Sequence, residues 1–305
     1  MNHVKCNLCG ATRDRLLFYN HDRLLQTDQR EFAVVRCESC GLTYLNPQPT
    51  QEELRKYYPD NYGPYANKAM FKHGPMSRLV KMLFSWLRHP RSHTKPPVAD
   101  SSVLNCLDFG CGKGTFLEGL KVKHPAWKLF GLDNSQIACA LTREKGFEVY
   151  CGDVAEVDLP KGFFDRVYMN SVIEHLNDPK TAMLRLRAAM KNGAEVVIQT
   201  PNIGSLAARL FGRFWYAADT PRHLYLFTPH TLRRLLADTG FTVLEVGYKP
   251  GMSVEIKSFF YLLDKKDRRM NPVVWRLLRP VSRVLGYFNL ASTMIVRATA
   301  RGPSA

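Results

Sequence analysis

The chain contains 305 residues, of which 45% are hydrophobic and 23% charged, a balance typical of a folded protein with a substantial core. No signal-peptide-like segment opens it and no run of about 18 uncharged apolar residues occurs, which predicts a cytoplasmic protein without a membrane-spanning helix. The formal net charge of +16 is concentrated in residues 61–99, with seven Lys/Arg and no acid, and in residues 261–305, with nine Lys/Arg and two Asp. These segments form either a solvated surface or a contact for phosphates on nucleic acid, nucleotide sugars or anionic lipid.

Two matched Cys-x-x-Cys-Gly motifs lie in a predicted N-terminal module, residues 1–50. Their cysteines are Cys6, Cys9, Cys37 and Cys40. Four thiolates in this pattern favour a tetrahedral, structural zinc site of the zinc-ribbon type. The 27 residues between the pairs exceed the usual spacing, so a hairpin must span them, and a redox pair or an iron–sulfur centre remains an alternative. Short strands are predicted at residues 32–35 and 42–45. The later cysteines are expected to be buried free thiols, because no export signal favours disulfides: Cys106, Cys111, Cys139 and Cys151.

Residues 51–100 form a predicted helical and linker segment that ends in the breaker-rich stretch RSHTKPPVADSS. Within it, residues 79–89 mix apolar, aromatic and basic side chains at helical spacing, as residues 273–288 do near the other end of the chain. Such helices either pack on the domain with the basic face outward or lie on an anionic membrane. Peripheral contact with the inner membrane surface is therefore an alternative to a purely cytoplasmic location.

Strands and helices alternate through residues 103–247. Apolar runs predict strands at residues 103–109, 127–133, 147–151, 164–170, 194–200 and 241–247, with one more at 292–299. Helices are predicted between them at residues 115–123, 135–145, 179–190 and 229–240, where caps and breakers mark the ends. The alternation indicates an α/β domain, residues 101–305, built on a mostly parallel sheet covered on both faces.

The first of these strands runs into the loop DFGCGKG, residues 108–114, which precedes a helix. Glycines there let the backbone turn tightly and approach a ligand closely. The second strand ends at Asp133, where a carboxylate can accept hydrogen bonds from both hydroxyls of a ribose, and Asp153 follows the third strand, where it can hold an adenine amino group. The G-x-G-x-G spacing differs from the dinucleotide fingerprint because position 115 is Thr, so no pyrophosphate is required at the helix.

The motifs LDFGCGKGTFL, FGLDNS, CGDVAEVDLP and FDRVYMNSVIEHLNDP resemble, in order and spacing, those of class I S-adenosylmethionine-dependent methyltransferases. The resemblance covers about residues 100–247 and implies a Rossmann-like seven-stranded sheet of order 3-2-1-4-5-7-6 with strand 7 antiparallel. It also implies S-adenosylmethionine as cofactor, bound by Asp108, Gly110, Cys111, Gly112, Gly114, Asp133, Asn134, Asp153, Val154 and Asn170. In this assignment the glycine loop contacts the methionine part and ribose, residues 153–154 bind adenine, and Asn170 approaches the methionine end. The stretch VRCESCGLTYLNPQPTQEELRKYY resembles zinc-ribbon leaders on bacterial methyltransferases of sugar and polysaccharide pathways, which implies structural Zn²⁺.

Glu174 and His175 follow the fourth strand, at the edge where open α/β sheets bind ligands. A histidine suits removal of a proton from the acceptor, while the glutamate orients it or holds a hydroxyl. The pair resembles the Glu-His of quinone O-methyltransferases and deoxysugar C-methyltransferases, although Ser171 replaces the acid that completes a divalent-metal site in some relatives. A histidine that only caps a helix or packs in the core is the alternative, and His223 is a second candidate base.

His223 lies in an aromatic-rich insertion, residues 202–227, which is either a substrate lid over the sheet edge or ordinary packing. Its aromatic residues are Phe211, Phe214, Trp215, Tyr216, Tyr225 and Phe227. The segment before the α/β domain supplies further candidates for covering the cofactor: Tyr57, Tyr58, Tyr62 and Tyr65. A second insertion, basic and helical, is predicted at residues 250–290, before the last strand.

The leading hypothesis is methyl transfer to a small-molecule acceptor, at a hydroxyl oxygen in preference to carbon. The acceptor is predicted to be a sugar, glycan intermediate or aromatic metabolite, and a phosphate-bearing or lipid-linked acceptor would suit the basic segments. An RNA-modifying methyltransferase is the first alternative. Against it, NSVI at residues 170–173 lacks the Asn/Asp-Pro-Pro-aromatic signature of enzymes that methylate base amines, and the sequence has no Pro-Cys pair. A cofactor-binding module without turnover is the second alternative, which the intact glycine loop, Asp133 and the Glu-His pair disfavour.

Overall fold

A computed structural model of the chain describes residues 1–58, 103–249, 253–263, 288 and 290–302. The predictions made for residues 79–89 and 273–287, and for Tyr62 and Tyr65, lie outside the described residues. Within the described part, no helix combines the length and apolar character needed to cross a bilayer.

The described residues form eleven strands, divided between two sheets. In chain order they are β1 (Asp14–Asn20), β2 (Phe32–Cys37), β3 (Thr43–Leu45), β4 (Asn105–Phe109), β5 (Lys128–Asp133), β6 (Glu148–Cys151), β7 (Phe164–Asn170), β8 (Met190–Pro201), β9 (Tyr225–Leu226), β10 (Phe241–Tyr248) and β11 (Thr293–Ala300). The larger sheet has the order β10-β11-β8-β7-β4-β5-β6. β11 runs antiparallel to both neighbours and the other pairs are parallel, so the predicted methyltransferase order with an antiparallel seventh strand is confirmed.

Seven α-helices accompany these strands in the described ranges. They are α1 (Gln51–Arg55), α2 (Thr115–Lys123), α3 (Gln136–Arg143), α4 (Pro179–Ala189), α5 (Leu206–Phe211), α6 (Pro229–Asp238) and α7 (Ser253–Leu262). Side chains cap several of them: Ser135 accepts from the N–H of Ala138, and Asp178 accepts from that of Thr181. Successive side chains of β4 enter different cores, because Cys106 packs with the α2 side of the sheet and Leu107 with the large core on the other face.

The smaller sheet has the order β1-β2-β3-β9 and joins the N-terminal residues to the 202–227 insertion. β3 pairs antiparallel with β9, so that Thr43 lies opposite Leu226 and Tyr44 lies opposite Tyr225. The rings of the two tyrosines stack with centroids 6.3 Å apart. The cysteine module therefore shares backbone hydrogen bonds and a core with the insertion that leads into α6.

The insertion itself is largely packed against the protein. Trp215, Tyr225 and Phe227 are at most 2% exposed, and the indole N–H of Trp215 donates to the hydroxyl of Ser292. Tyr216 is half-buried and borders the cavity described below. Three of the aromatic residues in this insertion are therefore packing residues, whereas Tyr216 lines the cavity.

One expectation about the later cysteines is wrong, because Cys139 and Cys151 form a disulfide with their Cα atoms 5.9 Å apart. Cys139 lies in α3 and Cys151 ends β6, two elements that pack together at the edge of the large sheet. No local pattern reveals that contact, so the sequence gives no sign of the pair. Cys106 and Cys111 are free and buried, as predicted.

Candidate functional site

The glycine loop turns sharply between β4 and α2. Gly110, Gly112 and Gly114 have φ angles of +78°, +52° and +73°, a region that residues with a side chain rarely adopt. A Cβ at Gly110 would lie 2.3 Å from Cγ2 of Val172, whereas a Cβ at Gly112 would meet no atom within 4 Å. The loop therefore packs closely at Gly110 and leaves open space at Gly112, where a ligand can approach the backbone.

Asp133, at the end of β5, braces this loop. Its carboxylate accepts hydrogen bonds from the backbone N–H groups of Gly112 and Ser135, each 2.9 Å long. Burial raises the pKa of Asp133, although these N–H donors oppose the shift. Because a carboxylate offers about four lone-pair directions, the Asp133 side chain can still accept a hydrogen bond from a ligand.

Asp108 is buried beside it, at 2% exposed, on the neighbouring strand β4. Burial, reinforced by the charge of Asp133, raises the pKa of Asp108 to about 8. A carboxyl group in such surroundings stays neutral unless a cation or hydrogen-bond donors reach it. This corner therefore suits a ligand that brings positive charge and donor groups.

Three further predicted cofactor residues follow β5 and β6, and two of them, Asp153 and Val154, were predicted to bind adenine. Asn134 and Asp153 are exposed and Val154 is buried, which gives this side of the site two polar groups and one apolar surface. Asp153 also accepts a hydrogen bond from the N–H of Ala155 at 2.8 Å, so its carboxylate is oriented by its own turn.

Two further predicted cofactor residues differ in how they face the site. Cys111 is 5% exposed and packs in the core against the position of Gly131, so its side chain faces away from the loop opening. Asn170 ends β7, and its side-chain Nδ2 is buried without an acceptor in the described residues. A buried donor without a partner is costly, and a bound ligand would remove that cost.

A cavity of about 200 Å³ opens at the carboxyl ends of β7 and β8. Its polar lining includes Ser171, Glu174, Gln199, Tyr216, Asp219 and His223. Ser171 lines the cavity while its neighbour Val172 packs on Gly110, so the cavity adjoins the glycine loop. The lining contains two carboxylates and, within the described residues, neither Lys nor Arg. The carboxylates and the imidazole in this wall can accept hydrogen bonds from the hydroxyl groups of a bound molecule, while Lys249 and Lys257 bond to the lining residues Gln199 and Tyr216 from outside.

Glu174 is fully buried in this wall and has one oxygen without a partner. Its Oε2 accepts a 2.9 Å hydrogen bond from the hydroxyl of Thr200, whereas Oε1 meets no donor in the described residues. Burial raises the pKa of Glu174, and the neighbouring His223 opposes the shift. Because an unsatisfied buried oxygen is unfavourable, this side chain either holds a proton or receives a donor from a ligand.

The structure brings the two predicted histidines together, with ring centroids 4.6 Å apart, but only His223 lines the cavity. Its Nδ1 lies 2.9 Å from the carbonyl oxygen of Ala217. Since a carbonyl only accepts, Nδ1 carries the hydrogen and Nε2 is the basic nitrogen. That nitrogen lies 3.9 Å from Oδ2 of Asp219, a carboxylate on the same wall.

His175 is held differently. Its Nδ1 lies 3.0 Å from the carbonyl oxygen of Arg222 and 3.0 Å from the hydroxyl of Tyr58, one of the tyrosines predicted to cover the site. Burial and the nearby His223 lower the pKa of His175 to about 3, which makes it a weak base at neutral pH. Ligand atoms of Glu174, His175 and His223 lie within 4.8 Å of one another, but Ser171 adds no carboxylate, and we assign no metal there.

A buried ion network that the sequence does not predict lies beside the cavity. Arg222 is fully buried and donates to carboxylate oxygens of Asp22 and Asp219, each at 2.7 Å. Asp22 lies in the loop between β1 and β2, 200 residues away in the sequence from its partner. In the segment PRH, residues 221–223, the sequence singled out only His223. No local pattern predicts that Arg222 pairs with a residue so far away in the sequence.

The four N-terminal cysteines converge as the sequence predicts. The sulfurs of Cys6 and Cys40 are 3.4 Å apart, those of Cys9 and Cys37 are 3.6 Å apart, and all four lie within 4.8 Å of one another. The two motifs form matching turns, in which the glycine N–H donates to the carbonyl of the first cysteine at 2.8 and 3.0 Å. Burial raises the pKa of Cys6 above its usual range and that of Cys40 to about 11. For Cys37 burial acts in the same direction, but backbone N–H groups of Cys40 and Ser39 lower its pKa to about 7.

Comparison with known proteins places this geometry in a family. The sequence model of the family described as "Methyltransferase domain" matches residues 69–246. A ubiquinone biosynthesis O-methyltransferase of Bradyrhizobium sp. (strain ORS 278) is 31% identical over 164 residues, which cover 49% of this chain and 64% of that protein. A trans-aconitate 2-methyltransferase of Variovorax paradoxus (strain S110) is 32% identical over 100 residues, 32% of this chain and 38% of that protein. The chain thus spans less than two thirds of the length of either relative.

Among solved structures, phosphoethanolamine N-methyltransferase 2 of Haemonchus contortus, in complex with S-adenosylhomocysteine, has a TM-score of 0.51 at 16% identity. The match covers 95% of this chain and 68% of that one, and at this identity it shows the fold. The family match spans more than half of the sequence and includes the glycine loop, Asp133 and the Glu-His pair. The chain therefore belongs to the class I S-adenosylmethionine-dependent methyltransferases.

Proposed function

We propose that this enzyme methylates a hydroxyl oxygen, in preference to carbon, of a small-molecule acceptor such as a sugar, a glycan intermediate or an aromatic metabolite. The observation that carries the proposal is the cavity wall formed by Glu174, Asp219 and His223 beside the glycine loop. These groups can accept hydrogen bonds and take up a proton, which a hydroxyl acceptor requires. The Bradyrhizobium relative is named an O-methyltransferase, which supports the same acceptor atom.

For the cofactor, we propose the residues that the family motifs assign. When bound, S-adenosylmethionine supplies an electrophilic methyl group on a sulfonium. Asp133 accepts from the ribose hydroxyls, and the open backbone at Gly112 allows close approach. Asp108 and Asn170 offer a buried carboxyl and an unpartnered N–H group, so both gain partners from a ligand with an ammonium and a carboxylate. Asp153 and Val154 form the adenine side.

For the acceptor, we propose His223 as the base. His223 lines the cavity, and in this proposal its Nε2 takes the hydroxyl proton as the oxygen attacks, after which the carboxylate of Asp219 stabilises the imidazolium. The free oxygen of Glu174 accepts a second hydrogen bond and fixes the acceptor's orientation. His175, which the sequence favoured first, does not line the cavity and instead braces Tyr58 and the Arg222 backbone.

We also propose that the four N-terminal cysteines hold a structural zinc ion. Tetrahedral Zn–S bonds of about 2.3 Å place the sulfurs about 3.8 Å apart, close to the 3.4 and 3.6 Å separations of the two sulfur pairs. Four sulfur donors leave no position for a substrate, so the site is structural. A redox role would instead pair cysteines within one motif, whereas the short separations here join the two motifs.

A screen of small metabolites with methyl-labelled S-adenosylmethionine tests the function. We expect label on hydroxylated small molecules, with Asp133→Ala inactive because cofactor binding fails. Asp158→Ala, which removes an exposed carboxylate outside the site, serves as the active control. Transfer confined to RNA would support the nucleic-acid alternative and contradict the proposal. Tight cofactor binding without transfer to any acceptor would instead support a non-catalytic module.

A further inference from the structure

The cysteine module reaches the acceptor cavity through a chain of buried ion pairs that begins at Asp22. This residue is fully buried, and its carboxylate accepts hydrogen bonds from the N–H groups of Leu25 and Thr27. The hydroxyl of Thr27 adds a third bond, 2.7 Å long. Although burial opposes it, hydrogen bonds from Arg222 and Thr27 lower the pKa of Asp22, so the side chain stays ionised. Its own loop therefore fixes the carboxylate in place.

Arg222 joins this carboxylate to a second one. Its Nη2 donates to Asp22 at 2.7 Å, and its Nε and Nη2 donate to Asp219 at 2.7 to 3.1 Å. Its Nη1 also donates to the backbone carbonyl of Tyr57. Burial works against the charged guanidinium, but the two carboxylates raise the pKa of Arg222 above its usual range. Because the planar guanidinium of Arg222 is hydrogen-bonded on several edges, it has little freedom to rotate.

Asp219 brings the chain of contacts to the cavity wall. Its backbone has a φ of +32°, an uncommon conformation for a residue with a side chain. Its carbonyl accepts the backbone N–H of His223 at 3.1 Å, and its Oδ2 lies 3.9 Å from that residue's Nε2. Among the described residues, Glu174 and His175 also lie close to this imidazole. The position of Asp219 thus sets both the turn and the charge beside the proposed base.

We propose that Asp22 is a positioning residue for the acceptor cavity, which acts through Arg222 and Asp219 to hold His223 in place. The inference rests on the proposed role of His223. A simple tether between module and domain does not need these charges, because Asn7 already bonds to the Asp178 carboxylate and the N–H of Lys180. Buried ion pairs are also often no more stabilising than packed apolar groups. The placement of two carboxylates around one guanidinium therefore indicates that these groups orient Asp219 and, through it, His223.

The test follows the Nδ1–H proton of His223, which the structure places in a buried hydrogen bond to Ala217. Its exchange with solvent is measured by NMR on the full-length, zinc-loaded protein labelled with ¹⁵N-histidine. Asp22→Asn removes the charge and keeps the size, and we expect exchange to become about tenfold faster as the turn opens more often. Asn7→Ala is the matched control, because it breaks another module contact, and it should stay within about twofold of wild type.

Thr27→Val provides a milder variant in case Asp22→Asn does not fold, since Thr27 is exposed and only orients the Asp22 carboxylate. It should accelerate exchange in the same direction but by less. Calorimetric affinity for S-adenosylhomocysteine confirms that each variant is folded. Unchanged exchange in folded Asp22→Asn, or in Thr27→Val if Asp22→Asn does not fold, overturns the proposal, as does equal acceleration in Asn7→Ala. Accelerated exchange in an enzyme that transfers no methyl group would contradict the proposed function and leave the positioning role intact.

Discussion

Two buried carboxyl groups control the electrostatics of the cofactor end. Asp108 and Asp133 end adjacent strands, and burial raises the pKa of both. An unfolded aspartate loses its proton near pH 4, whereas folded Asp108 keeps its proton to about pH 8. The stability that this difference contributes is fully present below about pH 4 and is lost as the pH rises through about 8.

Asp108→Asn should therefore stabilise the cofactor-free protein in a pH-dependent way. The amide stays neutral, so the gain in free energy of unfolding over wild type should grow from pH 4 to pH 8 and then level off, at no more than about 5 kcal/mol. Denaturant unfolding at several pH values measures it. Asp158→Asn, at an exposed position, should show no such trend, and a pH-independent gain in Asp108→Asn would contradict the assigned burial effect.

The two histidines give a second contrast between single residues. His223→Gln should slow turnover about 100-fold or more, because it removes Nε2, the proposed base, from the cavity lining. His175→Gln should cost less than about tenfold, since a base with so low a pKa contributes little proton transfer at neutral pH. Turnover is measured on the acceptor found in the screen, with cofactor affinity checked by calorimetry. A larger loss in His175→Gln would restore that residue as the base.

Elements were predictable where their signals are local. The run of apolar residues and the following glycines predicted β4 to within two residues, and the helix at 115–123 was predicted with the bounds that α2 has. β1 was missed, because DRLLFYN alternates poorly and only its pairing with β2 makes it a strand. β9 has two residues, too few for any periodic signal, yet it joins the module to the insertion.

The candidate site likewise contains residues that the sequence predicts and residues that it does not. The glycine loop and Asp133 were predictable because a strand, a tight turn and a helix follow one another in sequence. The different surroundings of His175 and His223 were not predictable, because their hydrogen-bond partners, Tyr58 and Ala217, come from tertiary packing. Asp22 and Arg222 carry no motif at all, and only the folded chain brings them together.

Two glycines of the loop should respond differently to the same substitution. Gly110→Ala places a methyl group 2.3 Å from Val172 at a positive φ, so we expect a loss of about 2–3 kcal/mol in stability. Gly112→Ala meets no protein atom within 4 Å and should cost only about 1 kcal/mol, but its methyl enters the space proposed for the cofactor. Thermal unfolding and calorimetry with S-adenosylhomocysteine separate the two effects. Equal affinities for Gly112→Ala and wild type would argue against that placement.

At the scale of the whole molecule, the two sheets of the described residues are joined through the 202–227 insertion. β9 extends the N-terminal sheet, and three residues before it Arg222 holds Asp22. The proposed zinc site in the N-terminal module is thereby connected to the wall of the cavity. Small modules with little core of their own depend on such a metal for folding, so loss of the ion should affect the catalytic region and not the module alone.

Cys9→Ser tests this coupling. The variant should lose the zinc that we expect at about one ion per chain, and its melting temperature should fall by about 5 °C or more, since a structural zinc contributes directly to folding. Because β3 and β9 share a sheet, wild type should unfold in one transition as monitored at both Trp215, in the insertion, and the metal. Cys151→Ser, outside the cluster, should keep its zinc. A metal that leaves well before Trp215 becomes exposed would mean that the module melts on its own and that the shared sheet does not couple the two regions.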